Sequence, residues 1–322
     1  MKLQCRFIWL FLLISLNSVA AEKTTIRLGI LAFGTAVWEI EAMEQEKLTE
    51  AADFDLEVHP VANPEAGKIA LQSGAVDMIV ADWIWVSRLR ASGKDFTFYP
   101  YSNTSGALVV ANDSPIRTLK DLQGKRLGIA GGELDKNWLL LQALAEQQEQ
   151  LDLNATVEKV FGAPPILNQQ ILNDRIDAVM NYWHFAARLE AQGYRQLIDG
   201  QGIIKALGID EPVPSLGYVF SQSWGNLHKQ ALNGFFKAVQ QARQRLCSSD
   251  AAWHKILPLI QTDDPTVQDK LRQRYCEGNI EHWGEKEQQA AKDIYDLLKK
   301  LSRNRLTGAG ADLQPGTFWT ID

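Results

Sequence analysis

The sequence is poor in the residues and motifs that mark catalysis or nucleic-acid binding. It has three cysteines and five histidines in 322 residues, and the histidines are scattered along the chain. No GxSxG, HExxH, CxxC or GxxxxGK[ST] motif occurs, so the common catalytic and nucleotide-binding signatures are missing. The formal net charge of −6 does not suit nucleic acid, whose binding needs basic patches. We therefore expect a protein that is not an enzyme and has no cofactor, catalytic residue, metal or nucleic-acid partner.

Long apolar runs are also missing beyond the N-terminus, where no stretch approaches the roughly 18 residues of a transmembrane helix. At the N-terminus, Lys2 and Arg6 flank the start of an apolar run, residues 7–16, and small residues follow at 19–21. This pattern is typical of a secretory signal peptide cleaved after about Ala21. An uncleaved anchor is the alternative, although the run is short for the ~30 Å hydrocarbon core. We expect a protein exported to the periplasm.

Two cysteines remain after that segment is removed, Cys247 and Cys276. An even pair in an oxidising compartment favours a disulfide. The alternative is two buried thiols that cannot meet, because a bridge needs Cα atoms within about 7 Å. We expect a bridge that joins C-terminal helices and carries no chemistry.

The most informative feature present is an internal repeat of about one hundred residues. Residues 76–93 read VDMIVADWIWVSRLRASG, and residues 176–193 read IDAVMNYWHFAARLEAQG. Matched pairs include Asp77/Asp177, Trp83/Trp183, Arg88/Arg188, Gly93/Gly193, Trp38/Trp138 and, one residue out of register, Arg27/Arg126. The period is too long for a solenoid and has the size of a small domain. It predicts two similar lobes with a ligand held between them, because pockets favour domain interfaces.

Each lobe alternates strands with helical stretches, which is typical of βαβ units in an α/β protein. Lobe one is expected to have strands at 25–31, 54–61 and 78–81, and lobe two at 126–130, 156–161 and 177–182. Two extended segments, around 106–113 and 215–221, are expected to form the hinge between the lobes. We predict a signal peptide at 1–21, lobe one at 22–112 plus 215–322 with C-terminal helices, and lobe two at 113–214.

Candidate ligand-binding residues follow from the strand ends, because ligands of open α/β sheets bind outside the carboxyl ends of the strands. Trp83 and Trp183 follow the third strand of each lobe, and we expect them to face each other across the cleft around an aromatic ring or a quaternary cation. Packing in the core is the alternative for both, and for Trp38 and Trp138 as well. The full candidate set is Phe33, Gly34, Trp38, Asp82, Trp83, Ser105, Gly131, Gly132, Trp138, Asn181, Trp183 and Tyr218.

Two signals disagree on the charge of the ligand. The turns at 33–35 and 131–132 precede helix N-termini, whose unpaired N–H groups suit a sulfonate, carboxylate or phosphate. Nearby acids favour a ligand with positive character or hydrogen-bond donors, unless they form a solvated rim. These acids are Glu39, Asp82, Glu133 and Asp135. Elsewhere, Asp77 and Asp177 begin strands, where we expect them to cap turns.

Several stretches resemble a known family. Residues 114–129, SPIRTLKDLQGKRLGI, look like the S-x-I-x-x-L-x-D-L-x-G-K-x-(V/I) crossover of periplasmic solute-binding proteins of ABC importers. Residues 71–77, LQSGAVD, and their poorer twin 171–177, ILNDRID, look like the L-x-x-G-x-(V/I)-D turn of the nitrate/sulfonate/taurine and thiamine-pyrimidine-precursor (NitT/TauT) branch. One departure is the stretch WEIE at 38–41, which replaces a small polar turn that many members use near an anion.

The resemblance implies a periplasmic-binding-protein type II fold, or venus flytrap, with two βαβ lobes joined by a two-segment hinge. It also implies a monomeric extracytoplasmic substrate-binding protein that captures a small organic molecule and delivers it to an ABC permease at the inner membrane. One alternative is a periplasmic accessory or sensor-partner protein, as in homologues that assist quinoprotein dehydrogenases. An enzyme on the same fold is another alternative, and the export signal and the missing acid–base dyad count against it.

Overall fold

The computed structural model describes residues 23–31, 34–50, 52, 54–308, 310 and 312–321. The predicted signal peptide and the candidate Phe33 lie outside these residues. Within them, the chain forms two five-stranded sheets with helices on their faces. Among the helices of the described residues, none is long and apolar enough to cross a membrane.

The first sheet uses strands from both ends of the chain. Its elements are β1 (Thr24–Leu31), α1 (Ala36–Gln45), β2 (Phe54–Val61), α2 (Pro64–Gln72), β3 (Met78–Ala81), α3 (Trp83–Ala91), β4 (Phe96–Ser102) and, from the far side of the second lobe, β10 (Leu216–Ser221). Helices α9 (Gln222–Leu227), α10 (Lys229–Ser248), α11 (Asp250–Ile260), α12 (Pro265–Glu277) and α13 (Glu285–Ser302) follow.

The second sheet is continuous in sequence. It has β5 (Ala107–Val110), β6 (Arg126–Ala130), α4 (Lys136–Glu149), α5 (Leu153–Thr156), β7 (Glu158–Gly162), α6 (Pro164–Leu172), β8 (Ala178–Asn181), α7 (Trp183–Ala191), β9 (Arg195–Asp199) and α8 (Gly200–Ala206).

The two sheets have the same strand order, as the repeat predicts. The orders are β2-β1-β3-β10-β4 and β7-β6-β8-β5-β9. In each sheet four strands run in the same direction, and the fourth strand in the order, β10 or β5, runs antiparallel to both of its neighbours. Strands β3 and β8 hold the same position, and helices α3 and α7 begin one hundred residues apart, at Trp83 and Trp183. The two-lobed α/β fold predicted from the sequence is therefore confirmed.

One strand lies on the other side of the expected lobe boundary. The predicted boundary assigns residues 107–110 to lobe one, whereas the structure pairs β5 with β8 and β9 of the second sheet. All four residues of β5 are buried and apolar, so their sequence suits either sheet and only tertiary pairing decides between them. The chain passes from the first sheet to the second at residues 103–106 and returns between α8 and β10.

Two equivalent arginine–aspartate pairs tie the central strands together. The Arg27 backbone N–H and guanidinium both donate to Asp77, at 3.0 and 2.6 Å. Arg126 binds Asp177 in the same way, at 2.8 and 2.7 Å. The two aspartates therefore join neighbouring strands rather than capping local turns as expected. Each pair satisfies a backbone donor of the neighbouring strand and a charge at once.

The C-terminal helices pack on the first lobe and also reach the second. Helix α10 packs on α1, while α12 contacts α7 and α13 contacts α4 of the second lobe. A disulfide joins Cys247 of α10 to Cys276 of α12, with Cα atoms 5.7 Å apart. The predicted pairing of the two cysteines is therefore present, and it links helices, as expected.

Candidate functional site

A cavity of about 140 Å³ lies between the lobes beside the first crossing segment. Its walls come from the crossing, from the second lobe and from α12, which belongs to the C-terminal helices. The lining residues include Asn103 and Ser105 of the crossing, Trp183, Asp199 and Gln201 of the second lobe, and Arg274 and Glu277 of α12. An apolar cavity of about 150 Å³ can hold a benzene molecule, so this one has room for roughly six non-hydrogen atoms.

Two of the predicted residues, Ser105 and Trp183, line this cavity. Trp183 is half-buried at the start of α7. The ring of Trp38 in the first turn of α1 meets the Trp183 ring edge-on, with centroids 6.0 Å apart. Trp38 is itself buried against Trp253 and Tyr275 of the C-terminal helices. The tryptophan pair that spans the two lobes is therefore Trp38 with Trp183.

Trp83 and Trp138 belong to the interior instead. Trp83 is 2% exposed, its indole N–H donates to the Pro214 carbonyl at 2.9 Å, and its ring packs near Tyr295. Trp138 is 1% exposed within α4. The expectation that Trp83 and Trp183 face each other is thus wrong. Helix α13 and the C-terminal segment pack against Trp83, whereas Trp183 lines the cavity.

Two helix N-termini near the cleft, those of α3 and α4, are capped by aspartate side chains. Asp82 caps α3 by accepting the Trp85 backbone N–H at 2.9 Å, and Asp135 caps α4 by accepting that of Trp138 at 3.1 Å. Burial raises the pKa of Asp135. At α4 a carboxylate therefore takes one of the two positions where an anionic ligand was expected to bind. At the other position, the N-terminus of α1, Thr35 makes no side-chain cap hydrogen bond. Across the cleft, the Lys136 ammonium lies 3.9 Å from Asp82.

The remaining candidates Gly34, Gly131, Gly132 and Asn181 have structural roles. Gly131 and Gly132 both have left-handed φ, 80° and 83°, a conformation that other residues adopt at a cost. Gly34 donates its N–H to the Leu31 carbonyl at 3.0 Å. Asn181 is 1% exposed and makes all its hydrogen bonds inside the second lobe.

Tyr218 lies in a buried polar cluster behind Trp38. The Glu39 carboxylate has 0% exposure and accepts from the hydroxyls of Tyr275 at 2.9 Å and Tyr218 at 3.3 Å. The Arg243 guanidinium lies 3.2 Å from the same carboxylate and also donates to the Tyr101 carbonyl. Burial raises the pKa of Glu39, and the Arg243 charge opposes that rise. The Glu39 carboxylate is thus paired with Arg243 in the protein interior and does not line the cavity.

A larger space of about 930 Å³ lies on the first lobe between β4, α10 and residues 279–285. It is bounded by one lobe only, and of the predicted residues only Tyr218 lines it. The 140 Å³ cavity has walls from both lobes and is lined by two predicted residues, so it is a better candidate site than this one-lobe space. Spaces of about 630 and 20 Å³ also lie between the second lobe and α13, and each is lined by one predicted residue, Trp138 or Trp83. Within the described residues, no cluster of His, Cys, Asp and Glu could hold a metal ion.

Most of the cavity wall was not predicted from the sequence. Asn103 belongs to the crossing, and Arg274 and Glu277 lie on a helix far along the chain with no repeat partner in the sequence. Asp199 was the one residue with a readable signal, because it ends strand β9 and precedes the glycine that begins α8. Strand ends of this kind are where ligands of α/β sheets bind.

A sequence model of proteins described as NMT1/THI5 like matches residues 50–249, more than half of the chain. The chain belongs to the NMT1/THI5-like family. The resemblance to the NitT/TauT branch is thereby confirmed at the level of family and fold.

Solved structures of low sequence identity share the fold. The periplasmic aliphatic sulphonate binding protein SsuA from Escherichia coli superposes with a TM-score of 0.71 at 16% identity, over 92% of each chain. The alkanesulfonate-binding protein SsuA from Xanthomonas axonopodis pv. citri, bound to MOPS, gives 0.66 at 17% identity, over 93% of this chain and 99% of that one. These likenesses show the type II fold alone.

A curated relative is closer in sequence over a shorter stretch. The probable histidine-binding protein of Campylobacter jejuni is 31% identical over 111 residues. The match covers 34% of this chain and 39% of that relative's length.

Proposed function

We propose that this protein is an extracytoplasmic substrate-binding protein that captures a small organic molecule between its lobes and delivers it to an ABC permease at the inner membrane. The observation that carries the proposal is the 140 Å³ cavity whose walls come from both lobes and the crossing. A molecule bound there contacts both lobes at once, so it favours the closed arrangement over any open one. The protein acts as a monomer without catalysis.

Family and relatives support this proposal. The chain is NMT1/THI5 like, and proteins with its fold are named as an alkanesulfonate-binding protein and a periplasmic aliphatic sulphonate binding protein. The Campylobacter jejuni relative is named a probable histidine-binding protein. The N-terminal pattern of a signal peptide and the Cys247–Cys276 disulfide fit a periplasmic location, because disulfides persist in oxidising compartments.

We propose that the first sheet with the C-terminal helices, and the second sheet with its helices, move as two lobes about the crossing segments. Ion pairs at the rim span the lobes and would break on opening. The Arg274 guanidinium binds Glu190 at 2.5 and 3.1 Å, and Arg305 lies 3.1 Å from Glu133. The exposed Arg305–Glu133 pair contributes about 0–1 kcal/mol. The Glu190 side chain is only 8% exposed, so breaking its pair with Arg274 costs more and favours the closed arrangement.

Native mass spectrometry of periplasmic protein tests the capture step. We expect one small molecule per chain in the parent protein, and we expect Trp183→Ala to carry it at a clearly lower occupancy. Trp224→Ala is the matched control, because Trp224 is also half-buried but belongs to α9, away from the cavity. Retention of the molecule by Trp183→Ala at the parental occupancy, with loss in the control, would contradict an interlobe site. Uptake of the identified molecule by cells that lack the protein then tests delivery.

A further inference from the structure

The charged donor in the interlobe cavity is already committed. Arg274 lines the cavity, but its Nε and Nη2 donate to Glu190 at 3.1 and 2.5 Å. Its Nη1 donates to Glu277 at 2.8 Å. All three guanidinium nitrogens therefore donate to carboxylates of the protein. Three of the five N–H groups are used in this way, and the positive charge of the arginine is paired with two carboxylates.

The amide donors of Gln201 are committed as well, and Asn103 uses one of its two. The Gln201 side-chain nitrogen donates to the carbonyls of Asn103 and Val213, at 2.8 and 3.2 Å. The Asn103 side-chain nitrogen donates to the Asn279 carbonyl at 3.2 Å. An amide NH₂ group has two hydrogens, so Gln201 has none left to offer a ligand.

Acceptors, by contrast, remain available. The Asn103 Oδ1 atom is buried without a hydrogen-bond partner, and the residue is only 9% exposed. Asp199 uses Oδ1 to accept the Gly202 backbone N–H at 2.7 Å, while its Oδ2 has a long 3.5 Å contact with Gln196. A buried acceptor without a partner costs free energy. A ligand that brings N–H groups to this wall would recover that cost.

The charge of the wall points the same way. One cation, Arg274, stands against the carboxylates of Asp199 and Glu277 in the wall, and Arg274 is also paired with Glu190 outside the wall. The net charge of these side chains is negative, and a positively charged ligand neutralises it best. Trp183 lines the same cavity, and the face of an indole ring attracts ammonium and guanidinium groups.

We propose that the interlobe cavity binds the cationic, N–H-rich group of a small ligand, an ammonium or an amidinium-type group, with Asn103 Oδ1 and the Asp199 carboxylate as its acceptors. This inference deepens the proposed function and rests on it. Sulfonates and carboxylates are disfavoured because their negative charge adds to the net negative charge of the wall. The Ser105 hydroxyl, which is buried without a partner, is a neutral donor left for such a ligand. The structural relatives that bind sulfonates share the fold at 16–17% identity, which leaves the chemistry of the cavity wall free to differ.

Calorimetric titration of ligand-free protein with two probes of equal size tests the proposal. Methylguanidinium carries the proposed group, and methanesulfonate carries the opposite charge with only acceptors. We expect methylguanidinium to bind at least tenfold more tightly than methanesulfonate. Asp199→Asn should weaken methylguanidinium binding about tenfold or more, as expected for loss of a charge-assisted hydrogen bond. Trp183→Ala should weaken it several-fold.

The matched control is Asp152→Asn. Asp152 also caps a helix of the second lobe, accepting the Ala155 backbone N–H at 3.1 Å, and it does not line the cavity. This variant should change the affinity less than twofold. Asparagine can keep the cap in both variants, so both should melt near the parent. If Asp199→Asn is poorly folded, Asn103→Ala supplies an independent variant with the same expected weakening.

Tighter binding of methanesulfonate, or an affinity for methylguanidinium that neither variant changes, would overturn the ligand class. Failure of both probes to bind would overturn it too. The proposed function fails by a different result, which is a natural ligand that Trp183→Ala retains at the parental occupancy in native mass spectrometry. A natural ligand depleted in that variant but carrying a sulfonate would leave interlobe capture standing and remove only the cationic class.

Discussion

Trp83 and Trp183 occupy the same place in the sequence repeat, yet the structure predicts opposite effects when each is replaced by alanine. Trp83 is 2% exposed and donates a hydrogen bond to the Pro214 carbonyl. Trp183 is half-buried and lines the interlobe cavity. We therefore expect Trp83→Ala to reduce stability and Trp183→Ala to reduce ligand affinity.

The magnitudes separate the two effects clearly. Removing a core tryptophan costs about 3–5 kcal/mol of folding free energy, and the unpaired Pro214 carbonyl adds about 1 kcal/mol. That is a large part of the 5–15 kcal/mol by which proteins are usually stable. For Trp183, loss of stacking or cation–π contact of about 0.5–2 kcal/mol corresponds to a roughly two- to thirtyfold weaker affinity.

Urea unfolding and ligand titration on each variant give the two quantities. The reasoning predicts a much lower unfolding midpoint for Trp83→Ala, with nearly parental affinity in the protein that remains folded. It predicts a smaller change in the midpoint for Trp183→Ala together with the loss of affinity. If Trp83→Ala kept its stability and lost the ligand, the assignment of Trp83 to the interior would be refuted.

Three further predictions concern the buried and cross-linked groups. Arg243→Met leaves the Glu39 carboxylate buried and unpaired, so urea unfolding should show a loss of about 3–5 kcal/mol, much of it restored when Glu39→Leu is added. Burial lowers the pKa of His184 to about 4 from 6.5, so the unfolded chain takes up the proton first as pH falls. The free energy of unfolding should therefore decrease from about pH 6.5 down to 4, by at most about 1.4 kcal/mol per pH unit, and His184→Leu should remove this slope. Replacing both Cys247 and Cys276 by serine removes a cross-link between residues 29 apart and should lower stability by about 2–4 kcal/mol. Thiol labelling of the unreduced, unfolded parent should find no free thiol at these two positions.

The sequence was enough to predict the two-lobed fold because the repeat preserves the pattern that forms each sheet. The strand after Asp77 and the strand after Asp177 are short, apolar and followed by tryptophan, and they occupy equivalent positions. The β-branched runs and the spacing of helices between them indicate parallel βαβ units without any tertiary information.

The site was harder to predict because the C-terminal helices have no counterpart in the repeat. Helix α13 contacts the second lobe, and together with the C-terminal segment it surrounds Trp83, whereas Trp183 stays on the cavity. Arg274 lines the cavity although it lies 91 residues after Trp183 in the sequence. Local sequence patterns do not predict a contact over such a separation. The internal pairing of Glu39 with Arg243 likewise depends on tertiary packing.

Hydrogen–deuterium exchange tests most directly the central claim that a ligand binds between the lobes. Protein carrying its natural ligand is compared with the same protein after unfolding, dialysis and refolding with the disulfide intact. The account predicts slower exchange in the ligand-bound protein at three separate stretches, residues 103–107, 196–202 and 274–278, which bound the cavity. Protection confined to a single lobe, or to residues 279–288 beside the larger space on the first lobe, would contradict it.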